Sequence, residues 1–169
     1  MSSNLEHITT AVLLIDANKA ARAFYADGLK RCTPGYLTIE ADDAQTARQI
    51  SGYLRVDCVV LELALPDESG FKLLQHFVPI PSMPDVPVIV LTTIEDLGVY
   101  AVAKQSGAYA CLDKAHTTPE DLDRAIQLAL AIVGEMPRGN YRLPGPVDGT
   151  EVAPQPRRGP LVGLMGSYA

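Results

Sequence analysis

Four polar residues stand at or just beyond the ends of apolar runs, and their side chains could do chemistry together. They are Asp16, Glu62, Thr92 and Lys114. A carboxylate can hold a metal ion, whereas an ammonium and a hydroxyl can bind the oxygens of an anionic group. Whether they form one site depends on the elements that carry them.

Apolar runs alternate with amphipathic stretches along the first four fifths of the chain. Residue patterns predict strands over 11–15, 37–41, 57–65, 88–92 and 108–112, and helices over about 18–25, 42–54, 71–77, 95–106 and 118–133. Asn18, Asp42 or Asp43, and Thr118 are the predicted helix caps. Five strands alternating with five helices indicate an α/β fold with a parallel sheet covered on both faces. Ligands in such sheets bind at the carboxyl ends of the strands, where we expect the four polar residues to meet.

Composition excludes several classes of protein. Fourteen Lys and Arg against twenty Asp and Glu give a net charge of −6, which argues against nucleic-acid binding. The longest apolar run, 128–134, is too short to span a membrane, and residues 1–8 are too polar for a secretory signal. Cys32, Cys58 and Cys111 are too widely spaced for a disulfide framework or a zinc site, and the latter two are predicted core residues. We therefore expect a cytoplasmic protein with reduced thiols; His7, His76 and His116 are predicted surface residues.

Glycine and proline divide the chain. Residues 134–169 hold seven of the thirteen glycines and six of the thirteen prolines. This predicts a compact domain over 9–133 and a flexible or extended tail over 134–169. The tail lacks the pattern of a DNA-binding helix pair, and Arg157-Arg158 is too small a basic cluster to replace one. Residues 161–165 are its one apolar patch, either a docking peptide or a frayed end.

Together, the element order and the strand-end residues resemble the receiver domain of two-component response regulators. The resemblance is carried by residues 14–19, 61–70, 91–93 and 111–115. Counted from Glu62, a proline falls at +4, a glycine at +8, a threonine at +30 and a lysine at +52, as in the family pattern. The implied fold is a doubly wound, five-stranded parallel sheet of the flavodoxin-like, CheY-like type with strand order 2-1-3-4-5.

The resemblance also implies a phosphorelay function. In the family, an aspartate after the third strand accepts a phosphoryl group from a kinase phosphohistidine, and an acidic pair after the first strand holds a divalent metal. The hydroxyl and the ammonium at the positions of Thr92 and Lys114 bind the phosphoryl oxygens.

This sequence departs from the family pattern where the chemistry occurs. Glu62 stands at the acceptor position, one methylene longer than aspartate, and Ala17 replaces the second acid of the pair. Cys111 replaces the usual aromatic switch residue, and Ala115 replaces the proline after the lysine. We therefore expect no cofactor and no functional metal site. A weakened Mg²⁺ site, if retained, would use Asp16, Glu62 and the backbone of Ala64.

These observations predict an atypical, or pseudo-, receiver that is not an enzyme and acts through protein contact without phosphorylation. Its expected surface comprises the 95–106 helix, the fifth strand and the last helix. Candidate partners are a histidine kinase, a second regulator or a second copy of the chain. Two alternatives stay open: a functional phosphoreceiver that uses Glu62 or Asp67 with Mg²⁺, and a small-molecule binding module anchored by Asp16 and Lys114.

Overall fold

Five parallel strands form one sheet in a computed structural model that describes residues 10–134. The strand order is β2-β1-β3-β4-β5, which confirms the predicted topology. The strands are β1 (Thr10–Ile15), β2 (Tyr36–Ala41), β3 (Cys58–Leu61), β4 (Val88–Thr92) and β5 (Ala110–Asp113). The buried central strands β1, β3 and β4 are rich in Val, Ile and Leu, as expected where helices cover both faces of a sheet.

Five helices connect the strands, and polar caps fix where four of them begin. They are α1 (Lys19–Cys32), α2 (Ala44–Tyr53), α3 (Gly70–Phe77), α4 (Leu97–Gln105) and α5 (Pro119–Gly134). Asn18, Asp43, Ser69 and Asp96 cap α1 to α4 with side-chain oxygens. Before α5, the Thr118 hydroxyl accepts a bond from the Asp121 amide at 3.2 Å. No helix in the described part of the chain is long and apolar enough to cross a bilayer.

The core has two layers, one on each face of the sheet. Alternate strand residues point to opposite faces, so Leu13 and Ile15 pack in the layer beneath α2, α3 and α4. Val12 and Leu14 pack in the layer beneath α1 and α5. The sheet is thereby held between two sets of helices, and the carboxyl ends of its strands are left at one edge.

Several elements differ in extent from the sequence prediction. Helix α1 runs to Cys32 rather than to about 25, α2 spans only Ala44–Tyr53, β5 begins at Ala110 rather than at 108, and two further elements are shorter than predicted. The apolar run 57–65 contains a strand only over Cys58–Leu61, because pairing with β1 ends at Leu61 opposite Ile15. Leu63 then turns into the core, so its apolar character reflects burial in a loop. The predicted helix 95–106 begins only at Leu97, since the carboxylate of Asp96 caps it. Of the predicted 134–169 tail, all but Gly134 lies outside the described residues.

Candidate functional site

The four polar residues are placed at one edge of the sheet by the ends of four strands. Asp16 directly follows β1, Glu62 follows β3, Thr92 is the last residue of β4 and Lys114 follows β5. Backbone hydrogen bonds between neighbouring strands reach the site residues themselves. The Glu62 amide donates to Ile15 O at 2.9 Å, and the Lys114 amide donates to Thr92 O at 2.9 Å. The four side chains therefore meet in one cluster.

Lys114 is the central cation of the cluster. Its Nζ donates to Asp16 Oδ2 and to Glu62 Oε2, both at 2.6 Å. The side chain is only 13% exposed. Burial alone would lower the pKa of Lys114, but the hydrogen bonds to the two carboxylates raise it overall. The ammonium is therefore charged and shared between two acids.

Glu62 is buried, and each of its two carboxylate oxygens accepts two hydrogen bonds. Oε1 accepts from the Thr92 hydroxyl at 2.5 Å and from the Ala64 amide at 3.1 Å. Oε2 accepts from Lys114 Nζ and from the Thr93 amide at 3.2 Å. Burial raises the pKa of Glu62, but the hydrogen bonds from Lys114, Thr92 and Ala64 outweigh it and hold the pKa below its ordinary value. The carboxylate is thus ionised and surrounded by donors.

Asp16 has its two carboxylate oxygens engaged as well. Oδ2 accepts from Lys114, and Oδ1 accepts from the Asn18 amide at 2.8 Å. The Asp16 carbonyl accepts a bond from Arg22 Nη1 at 2.5 Å. Ala17, the next residue, is exposed and carries no side-chain donor or acceptor. The cluster therefore contains one aspartate, one glutamate, one lysine and one threonine hydroxyl.

Comparison with known proteins identifies this arrangement. A model of the response regulator receiver domain matches residues 12–127, more than half of the chain. The chain belongs to the response regulator receiver family. Receiver domains are signalling modules rather than typical enzymes, and they act with protein partners such as kinases and other regulators. No curated relative matches the chain.

Solved receiver structures share the fold. The CheY-like receiver domain protein from Methanospirillum hungatei is 22% identical with a TM-score of 0.66, covering 74% of this chain and 96% of that one. The signal receiver domain of an HD domain-containing protein from Pseudomonas fluorescens is 26% identical with a TM-score of 0.62, covering 74% and 97%. A Burkholderia pseudomallei response regulator with a phosphorylated aspartic acid, calcium ion and citrate is 26% identical with a TM-score of 0.62, covering 74% and 71%.

Cys111, at the position of the family's switch residue, lies half-buried on β5. It packs against the core layer beneath α2, α3 and α4. Burial raises its pKa to about 11, and burial raises the pKa of Cys58 to about 12. Both therefore stay neutral thiols at physiological pH. Cys58 is fully buried, as predicted. The sequence also predicts Cys111 in the core, but it is only partly buried because β5 is an edge strand.

Asp67, the displaced acid considered as an acceptor, is bound elsewhere. Its Oδ1 and Oδ2 accept from the backbone amides of Ala44 and Gln45, at 3.0 and 2.9 Å. These bonds to the first turn of α2 hold the pKa of Asp67 low, with the Ala44 amide the largest cause. Asp67 thus fastens the loop after β3 to α2 and makes no bond to Lys114 in the described structure.

Two supporting residues are not evident from the sequence. Tyr25 of α1 donates its hydroxyl to the carbonyls of Lys114 and Thr117 at 3.2 and 2.9 Å. Arg22 binds Asp16 O and also pairs with Glu40 of β2 at 3.1 Å. Both lie on α1, one turn apart, and face the site. In the sequence, the spacing of Arg22 and Tyr25 from the helix cap Asn18 indicates that both lie on one side of α1. It does not reveal which distant backbone carbonyls their side chains bind.

Proposed function

We propose that this receiver is a pseudo-receiver that takes no phosphoryl group and acts by binding a protein partner. The observation that carries the proposal is the Glu62 carboxylate, which receives four hydrogen bonds. An acceptor carboxylate must present one oxygen to an incoming phosphorus atom. Here the donors that would bind phosphoryl oxygens, Lys114 and Thr92, are already bound to the carboxylate itself.

The donor set also does not fit Mg²⁺. This ion needs nearly octahedral oxygen ligands at short distance. The four carboxylate oxygens of Asp16 and Glu62 all accept hydrogen bonds from protein donors, two of them from the same ammonium. Ala17 supplies no carboxylate. The described residues of the cluster therefore do not fit a Mg²⁺ ion.

The contacts of Glu62 favour a site in which Thr92 and Lys114 keep one position rather than move between two. In the family, the threonine and the lysine bind the phosphoryl group only after transfer. Here a permanent carboxylate, one methylene longer than that of aspartate, reaches both groups. It supplies one negative charge where a phosphoryl group supplies nearly two. We infer that Glu62 holds Thr92 and Lys114 in one position, in partial imitation of the phosphorylated state.

The partner surface proposed is the face formed by α4, β5 and α5. All four residues of β5 are partly exposed, as expected for an edge strand between two helices. Leu97 of α4 is 85% exposed, and Leu128 and Ile132 of α5 are about half exposed. These exposed apolar side chains lie on both helices of the face, and exposed apolar surface is typical of protein interaction sites. This supports a protein ligand rather than an acidic or nucleic-acid one.

The alternative of a small-molecule binding module receives less support. The cavity beside the site is lined by Asp16, Arg22, Tyr25 and Glu62 among others, and measures about 10 Å³. That is room for about one water molecule. A metabolite would have to displace the Lys114 ion pairs to enter.

Intact-mass measurement tests the proposal. The full chain is incubated with acetyl phosphate and Mg²⁺, alongside a Glu62→Gln variant and an Asp67→Asn variant. We expect no phosphoryl adduct on any of the three. An adduct on the unaltered chain that disappears in Glu62→Gln would overturn the proposal, and one that disappears only in Asp67→Asn would identify the displaced acceptor.

A further inference from the structure

A second cluster of metal-ligating side chains lies at the same edge of the sheet but outside the receiver site. It consists of Glu95, Asp113 and His116. One ligand atom from each lies within 4.8 Å of the other two. Asp113 and His116 lie three residues apart in the turn that ends β5, and Glu95 comes from the loop entering α4. The two segments together place two carboxylates and an imidazole around one point.

This cluster is separate from the Glu62 site because neighbouring residues point in opposite directions. The Lys114 side chain binds Asp16 and Glu62. The adjacent Asp113 side chain instead binds His116, and its Oδ1 accepts from the Ala115 amide at 2.9 Å. A metal here would therefore leave the bonds of Lys114 and Glu62 intact.

The charges of the cluster favour a cation. Two carboxylates, Glu95 and Asp113, stand close together, and in the described part of the chain no Lys or Arg forms an ion pair with either of them. Asp113 is held in place by the Ala115 amide, an outer contact of the kind that orients metal ligands. His116 is 80% exposed at its side chain, and its Nδ1 already contacts Asp113 Oδ2, so the two groups stand side by side at the surface.

We propose that Glu95, Asp113 and His116 bind a divalent transition metal of the Zn²⁺ type. The imidazole nitrogen together with carboxylate oxygens suits Zn²⁺ and its first-row neighbours, whereas Mg²⁺ prefers oxygen ligands alone. Metal–ligand bonds of about 2.0–2.2 Å place two ligand atoms at most about 4 Å apart. Closing the cluster from 4.8 Å therefore needs only small rotations of side chains at the surface.

The site would connect the metal to the partner surface. Glu95 directly precedes Asp96, the N-cap of α4, and His116 lies in the turn before α5. A bound ion would tie the start of α4 to the end of β5. Because α4 and β5 belong to the proposed partner surface, a bound ion would hold two of its elements together. This effect on partner binding rests on the proposed function, whereas metal binding itself does not.

Isothermal titration of the full chain with ZnCl₂ tests the site. We expect one saturable site whose affinity falls at least tenfold in His116→Ala and in Asp113→Asn. The matched control is His76→Ala, which removes an exposed histidine of α3 outside the cluster and should leave the affinity unchanged. Circular dichroism of each variant verifies that it is folded.

Two results would overturn the metal site. One is no saturable zinc binding by the unaltered chain; the other is equal affinity in His116→Ala. Amide spectra recorded during the titration add a second readout, with shifts expected at residues 95, 113 and 116. Because the zinc titration uses no phosphoryl donor, its failure would leave the proposed pseudo-receiver function standing, and an acetyl phosphate adduct would leave the metal site standing.

Discussion

Glu62 and Lys114 form a buried pair of opposite charges joined at 2.6 Å. Since the pair is largely removed from water, each partner depends on the other for its ionised form. Removing one member of a buried ion pair costs more than losing a surface ion pair, although Asp16, at 2.6 Å from Lys114 Nζ, would still compensate part of the charge of Lys114. The stability of the domain should therefore depend on the protonation of Glu62.

Acid should lower the free energy of unfolding of the unaltered chain, because Glu62 becomes protonated. Its pKa is lowered in the folded state, so its stabilising contribution is full above the ordinary value of 4.5 and is lost as the pH falls through the folded-state value. Urea unfolding between pH 3 and pH 7 measures this.

At neutral pH, Glu62→Gln should lower the free energy of unfolding by about 1–3 kcal/mol, and the difference from the unaltered chain should shrink below about pH 4.5. Glu120→Gln, which changes an exposed glutamate of α5, is the control; a pH-independent difference for Glu62→Gln would contradict the account.

The Thr92 hydroxyl should matter more than that of its neighbour. Thr92→Val keeps the shape of a fully buried side chain but removes the donor to Glu62 Oε1. We expect a loss of about 1–3 kcal/mol, typical of a hydrogen bond to a charged group. Thr93→Val is the matched control, because Thr93 binds Glu62 through its backbone amide, which the substitution retains. Thermal unfolding compares the two, and equal losses would argue against a role for the Thr92 hydroxyl.

At the residue scale, the sequence predicts which side chains converge but not all of their partners. Asp16, Glu62 and Lys114 each follow a strand and Thr92 ends one, and parallel strands end at one edge. The amides of Ala64 and Thr93 also bind Glu62, but any residue type supplies an amide, so the sequence carries no signal for them.

At the element scale, α1 and α5 approach each other closely at Gly28. A Cβ added to Gly28 would overlap the ring of Pro119, the first residue of α5. The same α1 surface carries Tyr25, which binds the turn that holds Lys114. Helix packing at this point therefore supports the position of the central lysine.

Gly28→Ala should destabilise the domain by about 1–3 kcal/mol through overpacking. Gly52→Ala is the control, since Gly52 also lies in a helix but a Cβ there meets nothing within 4 Å. It should be neutral or stabilising by up to about 1 kcal/mol. Urea unfolding of both variants measures the difference, and similar effects at the two positions would show that the α1–α5 contact tolerates a side chain.

The sequence predicts the starts of α1 and α5 where periodicity and capping agree, at Asn18 and Thr118, but it ends α1 near 25 whereas the helix continues to Cys32. The apolar run 57–65 was a poorer guide, because loop residues such as Leu63 can be buried without belonging to a strand. In a single sequence, a buried loop residue and a paired strand residue are both apolar, so the apolar run does not distinguish them. Pairing ends with Leu61 for a geometric reason, the end of the register with β1, that composition cannot reveal.

At the scale of the whole molecule, the edge that binds phosphoryl groups in the family meets the proposed partner face at the end of β5 and at the start of α4. Alternation of strands and helices was sufficient to predict the parallel sheet, and the resemblance to receivers supplied its strand order, which the structure confirms. The sequence predicts the elements of the proposed partner face but not which of their side chains are exposed, since the exposure of Leu97 or Ile132 depends on how the helices pack. A fixed Glu62 at one end should keep this face in a single state.

Restoring the family residues tests this central claim most directly. Amide spectra of the unaltered chain and of a double variant, Ala17→Asp with Glu62→Asp, are recorded with Mg²⁺ before and after acetyl phosphate. The account predicts no change in the unaltered chain at residues 92–113, and new shifts there in the double variant, which regains both carboxylates of the family pattern. Shifts of the same pattern in the unaltered chain would contradict it, since they would mean that Glu62 leaves the site open to phosphorylation.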